Sequence, residues 1–328
     1  MVLLLAVSAV NARAQVSPAD QNYAQAVAAF KKEGFAGVDR AIASFERILR
    51  GAPDHTPSQL GLADALILKY EFSRKKDPAW MARAEALLTG LANDKQRAPE
   101  ALFKRAVTRF NQNRPGAAAA DLREAIALRP QYLDARLLYL QYLVSGGDKA
   151  QARPFAQESL AAFSGAAAPA KYFGDALLQG GDWEGAVEMY RAVVAQEPVA
   201  PFSWLGLGKA LAALGKHPEA AEAYRRALEQ KPGLDEARFG LGAALAESGD
   251  IGGAIANFEE HVKRQPDDAA ALNNLAVLYE RGGQNTKAKI TWLKLKQMSD
   301  NKDRKERADA RLRSLLSEPA QPNGGDVK

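Results

Sequence analysis

The chain has 328 residues, 44 Lys/Arg against 39 Asp/Glu for a formal net charge of +5, and is 47% hydrophobic, 25% charged and 8% aromatic. It contains no cysteine, which excludes disulfides, thiolate metal sites, cysteine nucleophiles and the acylated cysteine of a lipoprotein, while leaving the redox compartment open. Few aromatics and abundant alanine suit closely packed helices, because Ala has the best helix propensity and loses no side-chain entropy.

The first segment, Met1-Val-Leu-Leu-Leu-Ala-Val-Ser-Ala-Val10, is apolar but far shorter than the ~20 residues that span a bilayer. Its length suits the hydrophobic part of a secretory signal, and Ala12-Arg13-Ala14 fits the small-x-small cleavage rule. A signal peptide over 1–14 is expected, with cleavage after Ala14 and a periplasmic or secreted mature chain. No Lys or Arg precedes the apolar run, which departs from the usual pattern. A linker over 15–21 follows.

From there a period of 34 governs the chain. Ala84, Ala118, Ala152, Ala186, Ala220, Ala254 and Ala288 stand 34 apart, and so do Gly147, Gly181, Gly215, Gly249 and Gly283. The repeats run 22–55, 56–98, 99–132, 133–166, 167–200, 201–234, 235–268 and 269–302, each reading as two amphipathic helices. Pro130, Pro198, Pro232 and Pro266 close four of them, as proline past a helix end should. The second helix carries an aromatic at Tyr190, Tyr224, Phe258 and Trp292, and the first carries Gly174, Gly208 and Gly242 where a neighbouring helix comes close. The second repeat is nine residues longer, with the extra residues around Tyr70–Pro78 expected in a loop at one edge of the stack. In the fourth, Pro154 lies two residues after Ala152 and Ala156 replaces the aromatic, which predicts a local weak point or bend. Residues 303–317 read as a capping helix with Ala308, Leu312, Leu315 and Leu316 on its packed side. Turn formers without apolar periodicity make 318–328 a disordered tail.

In 201–234 the order Trp204, Leu207-Gly208, Leu211, Ala220, Tyr224, Ala227, Pro232 resembles the tetratricopeptide repeat. The departures are Leu for the first Tyr and Tyr for the Phe. The resemblance implies an all-α fold: a right-handed superhelical α-solenoid of about eight helix-turn-helix repeats ending in the capping helix. It also implies a concave wall built from the first helices, which in the family usually binds an extended or helical segment of another protein. Projected onto that wall are Phe103, Val107, Phe110, Leu137, Gln141, Lys171, Tyr172, Asp175, Phe202, Leu205, Lys209, Phe239, Asn273 and Asn274. Apolar rings among single polar groups suit peptide recognition. About half of Phe103, Leu137, Leu205 and Phe239 are expected to be exposed, and the rest to pack between helices. The family's carboxylate clamp for chaperone C-termini is not matched, because Leu, Phe and Asp stand where it needs basic residues.

No catalytic constellation emerges. His55 and His217 fall in predicted turns, and His261 reads as a packing residue, so nothing brings the three together as ligands, and no HExxH motif occurs. Gly206-Leu-Gly208-Lys209 lacks the phosphate-loop spacing and the Ser/Thr after Lys, and it lies within a helix. The repeats leave no room for a catalytic domain, so a non-enzymatic scaffold without cofactors, in a cell-envelope assembly, is expected. A second reading comes from 281–313, where eleven Lys/Arg face four acids for a net +7. Such an end suits an anionic polymer or membrane surface, as in an accessory subunit of envelope polysaccharide synthesis or export. Nucleic acid is not expected as a partner of an exported chain.

Overall fold

The computed structural model describes residues 17–94, 97–146, 148–298 and 302–317, and for 302–304 and 317 only the backbone. The signal expected over 1–14 and the tail expected over 318–328 lie outside these residues. Among them there are seventeen α-helices, two short 3₁₀ turns and no strand.

The helices pair as the period requires. The first six are α1 (Pro18–Glu33), α2 (Val38–Gly51), α3 (Thr56–Phe72), α4 (Pro78–Leu91), α5 (Ala98–Asn111) and α6 (Pro115–Leu128). α7 (Leu133–Ser145), α8 (Ala152–Ala162), α9 (Ala167–Gly180), α10 (Trp183–Gln196), α11 (Pro201–Ala213) and α12 (His217–Gln230) follow. The remainder are α13 (Asp235–Glu247), α14 (Ile251–Arg264), α15 (Ala269–Arg281), α16 (Asn285–Met298) and the capping α17 (Lys302–Ser317). They form two compact units, one ending at Gln151 and the other beginning at Ala152, so the boundary falls inside the fourth repeat.

Local chemistry sets the helix ends. The period-34 glycines Gly181, Gly215, Gly249 and Gly283 are all left-handed, with φ between 71° and 86°. In each, the next backbone N–H reaches back to close the helix, as Lys216 N does to Leu211 O at 2.9 Å and Asp250 N to Leu245 O at 2.9 Å. In the third repeat Asn113 takes this place with φ 59°, the residue that tolerates it best after Gly. Pro154 falls in the first turn of α8, where no intrahelical donor is lost.

Three boundaries differ from expectation. α1 begins at Pro18 rather than after a linker to residue 21, because the Ser17 hydroxyl accepts from Asp20 N and Pro18 suits the first helical position. Part of the insertion in the second repeat lengthens α3 to Phe72 instead of looping out. There Lys76 Nζ donates to the carbonyls of Tyr70 and Glu71, at 2.7 and 2.6 Å, and satisfies the helix end. His217 opens α12 instead of lying in a turn.

The aromatic register builds the core. The Tyr224 ring lies between two helix backbones: a Cβ placed on Gly208 would stand 2.7 Å from its Cδ1, and one on Gly240 2.6 Å from its Cζ. Phe258 fills the space left at Gly242, and Phe45 that at Gly61. Glycine therefore lets each ring pass beneath the first helices, and the rings Phe45, Tyr190 and Phe258 are at most 1% exposed. At the C-terminal end Ala308, Leu312 and Leu315 of α17 cover the last apolar face, but Leu316, expected on the packed side, is 71% exposed.

Candidate functional site

First helices of neighbouring repeats pack on one another within each unit: α1 on α3 and α3 on α5, then α9 on α11, α11 on α13 and α13 on α15. Among the described residues the second helices show no comparable packing on one another, so the first helices form the inner wall of each unit. Along this wall polar pairs alternate with apolar clefts.

In the unit ending at Gln151, a cleft of about 440 Å³ is lined by Phe110, Pro115, Leu138, Gln141 and Tyr142. The Phe110 and Tyr142 rings stand 6.1 Å apart, and the Gln141 side chain is exposed. Deeper in the wall lies a buried ion pair that the sequence reading missed. Lys104 Nζ donates to both carboxylate oxygens of Asp64, at 2.6 and 2.8 Å, with both side chains under 8% exposed. Burial pushes the Asp64 carboxyl up, against the pull of the Lys104 ammonium. The two residues are 40 apart, so neither the 34-residue period nor helical spacing pairs them.

In the second unit, Lys171, Tyr172, Val199, Phe202 and Glu197 line a cleft of about 240 Å³ where α9 meets the start of α11. Tyr172 is 49% and Phe202 52% exposed, with Val199 beside them at 81%. A lysine covers each ring: Lys171 Nζ lies 5.4 Å from the Tyr172 centroid and Lys231 Nζ 4.5 Å from that of Phe202. Aromatic faces with nearby cations are amphipathic anchors of the kind enriched at interfaces. Farther along, Asn273 and Asn274 line a cleft of about 220 Å³ with Trp292 and Arg307, the arginine coming from the capping helix.

Three of the polar residues projected onto the wall, Lys171, Asp175 and Lys209, are already engaged. Asp175 accepts from Lys171 Nζ at 2.8 Å and from the Tyr190 hydroxyl at 2.6 Å. Burial first and this hydrogen bond second push the Tyr190 hydroxyl well up. Lys209 pairs with Glu236 at 2.6 Å. The Tyr190–Asp175 contact ties α9 to α10, and the Lys209–Glu236 pair ties α11 to α13.

Several projected residues are not on the surface. Phe103, Val107 and Leu205 are 6–8% exposed, and Leu137 and Phe239 are half-buried, so none of the four expected to divide between surface and interior is exposed. The cause lies within each repeat. Tyr132 covers Phe103 with ring centroids 5.3 Å apart, while Phe239 packs edge-on against Phe258 at 5.3 Å and against His261 at 5.6 Å. His261 is buried with Nε2 2.8 Å from Asp268, and His55 bridges Asp20 and Ser58, so both are structural. No group of three or more His, Asp or Glu able to hold a metal occurs among the described residues. No helix there is long and apolar enough to cross a membrane.

A family model described as "Tetratricopeptide repeat" matches residues 103–167, 173–235 and 236–295. No curated protein matches the chain significantly. Among solved structures, the C-terminal part of a TPR repeat-containing protein from Cytophaga hutchinsonii aligns over 75% of this chain and 98% of its own, with 17% identity and a TM-score of 0.56. YrrB, described as a TPR protein with an unusual peptide-binding site, aligns over 58% of this chain and 99% of its own, with 22% identity and a TM-score of 0.48. The pilF protein of Pseudomonas aeruginosa aligns over 66% and 99%, with 16% identity and a TM-score of 0.46. At 17% identity the likeness to the Cytophaga structure is one of fold alone.

Proposed function

The chain belongs to the tetratricopeptide-repeat family, and we propose that it is a non-enzymatic scaffold holding an extended or helical segment of a partner protein along the inner wall of its repeats. The family generally mediates protein–protein interaction. One observation carries the reading to particular residues: the exposed rings of Tyr172 and Phe202 share one cleft on that wall. Rings of this size are costly to leave in water and strongly favourable to cover. The N-terminal pattern of apolar run and Ala12-Arg13-Ala14 supports export, and so a place in a cell-envelope assembly.

The test is capture from envelope extract by the mature chain beginning at Gln15, against a Tyr172→Ala/Phe202→Ala variant, at low and high salt. A partner kept by the native chain at high salt and lost by the variant is expected. A partner held equally by both removes the inner wall of this unit from the reading. Export is checked separately, by sequencing the N-terminus of the chain recovered from the envelope fraction.

A second reading rests on the net +7 over 281–313, where Arg281, Lys287, Lys296, Lys305, Arg307, Arg311 and Arg313 are all exposed. That end binds an anionic polymer or membrane surface, and such binding collapses at high ionic strength whereas burial of the rings does not.

A further inference from the structure

The repeat provides its own reference for what a surface position should carry. On the outer face of the second helices, two positions three residues apart hold exposed charged residues: Glu188 and Arg191 on α10, Glu222 and Arg225 on α12. One period past α12, α14 has an exposed Ala256 and, three residues on, Glu259. On α16 the same two positions hold Ile290 and Leu293, 62% and 47% exposed. The capping helix does not cover them; it packs through Ala308, Leu312 and Leu315 onto the cluster that contains Trp292 and Leu295 from the inward face of α16.

Helical geometry arranges the rest of α16 around this pair. Thr286 and Gln297 extend the line of Ile290 and Leu293 up and down the outer face. Lys287 and Lys294 lie along one edge and Lys289 and Lys296 along the other. Three of the four have a local partner, which a lipid phosphate would have to compete with: Lys287 donates to Glu259 at 3.0 Å, Lys294 to the Pro266 carbonyl at 2.6 Å, and Lys296 pairs with Asp309 at 2.7 Å. The pattern is a short apolar ridge between two rails of lysines, at the end of the chain with the largest positive excess.

We propose that the outer face of α16 is a docking surface for an anionic lipid bilayer, in which Ile290 and Leu293 enter the headgroup–acyl boundary while the four lysines bind lipid phosphates. The proposal rests on the second reading above and chooses a bilayer over a soluble polymer. A polyanion would be served by the lysines alone and gives no reason to exchange a Glu–Arg pair for Ile–Leu. Lysine stems are long enough to keep the ammonium among headgroups while the helix lies in the interface plane. Each cation near an anionic surface adds attraction, and burial of the two apolar side chains adds to it.

The test is flotation of the mature chain with vesicles of phosphatidylglycerol and phosphatidylcholine in equal parts, against vesicles of phosphatidylcholine alone. The variant is Ile290→Glu/Leu293→Arg, which installs the residues that α12 carries at these positions and leaves the net charge unchanged. Circular dichroism melting is expected to show it folded like the native chain. The native chain is expected to float with the anionic vesicles and not with the neutral ones, and the variant to lose about tenfold or more in affinity. Equal flotation of native and variant overturns the proposal, because charge alone then suffices. So does a native dimer that the variant dissolves, which makes a second copy the occupant. Native chain that binds dextran sulfate but no vesicle overturns the bilayer and leaves the second reading standing. Binding to neither removes both.

Discussion

Replacing Gly208 or Gly240 with alanine tests the packing on which the inner wall depends. In an unobstructed helix Gly→Ala gains up to about 1 kcal/mol of helix propensity. At Gly208 the new methyl would stand 2.7 Å from Tyr224 Cδ1, and at Gly240 2.6 Å from Tyr224 Cζ, closer than carbon atoms approach. Tyr224 is 4% exposed and held from both sides, so the ring cannot swing out without moving a helix. Overpacking of this kind costs about 1–3 kcal/mol, which outweighs the propensity gain and leaves a net loss of up to about 2 kcal/mol. Gly116→Ala is the control, since nothing lies within 4 Å of a Cβ there, and it should be neutral or stabilising. Because repeat stacks open locally, the assay is amide hydrogen exchange across α11–α13, compared with α5–α6 for the control. Faster exchange is expected in both Tyr224-facing variants. Adding Tyr224→Leu should reverse the sign of the Gly208→Ala effect. Equal stabilisation by all three substitutions refutes the reasoning.

Lys104→Met leaves the Asp64 carboxylate buried and uncompensated, and should cost about 3–5 kcal/mol in urea unfolding, most of it regained by Asp64→Leu/Lys104→Met. Acid should weaken the second unit through Asp182 and Asp268. Burial alone would raise both carboxyls, but Arg153 and the Gly185 N–H around Asp182, and the Ala271 N–H and His261 around Asp268, outweigh it and hold them below their ordinary value. The unfolded chain then binds more protons, so this stability is complete above about pH 5 and lost as pH falls through the unfolded and then the folded values. The urea midpoint should drop between about pH 7 and about pH 3.5, and drop less in Asp182→Asn/Asp268→Asn. Hydrogen exchange in 150–165 should outpace that in 215–230, since α8 has 11 residues where α12 has 14, and buries Ala156 where α12 buries Tyr224. Equal protection of the two segments contradicts the weak point read from the sequence.

The 34-residue period was enough for helix order, turn glycines and capping helix, because each depends on local chemistry: a left-handed glycine, a proline past a helix end, an apolar stripe. Exposure along the inner wall was not legible. Whether Phe103 meets solvent depends on Tyr132, which lies 29 residues away at the end of the same repeat. The Asp64–Lys104 pair was hidden for a related reason, because a charge inside an Ala- and Leu-rich helix reads as its solvated side until the neighbouring helix supplies the counter-charge.

One coupling in the sequence nonetheless links core and candidate site. In three repeats an aromatic in the second helix is followed 16 residues later by the glycine that admits it in the next first helix: Phe45 and Gly61, Tyr190 and Gly206, Tyr224 and Gly240, whereas Asn274 stands 16 residues after Phe258. In the fourth repeat the aromatic is absent and Ala156 is buried instead. Sixteen residues after Ala156, where a glycine is no longer needed, stands Tyr172, with 49% of its surface in solvent. The same substitution that thins α8 thus frees a position on the inner wall for a large exposed ring beside Phe202. Restoring a ring with Ala156→Tyr should therefore conflict with Tyr172 and be relieved by Tyr172→Gly. The double variant is expected to be protected from exchange in 152–162 yet to lose partner capture as Tyr172→Ala/Phe202→Ala does. If it keeps the partner, the exposed ring is not the anchor, and the coupling is one of packing only.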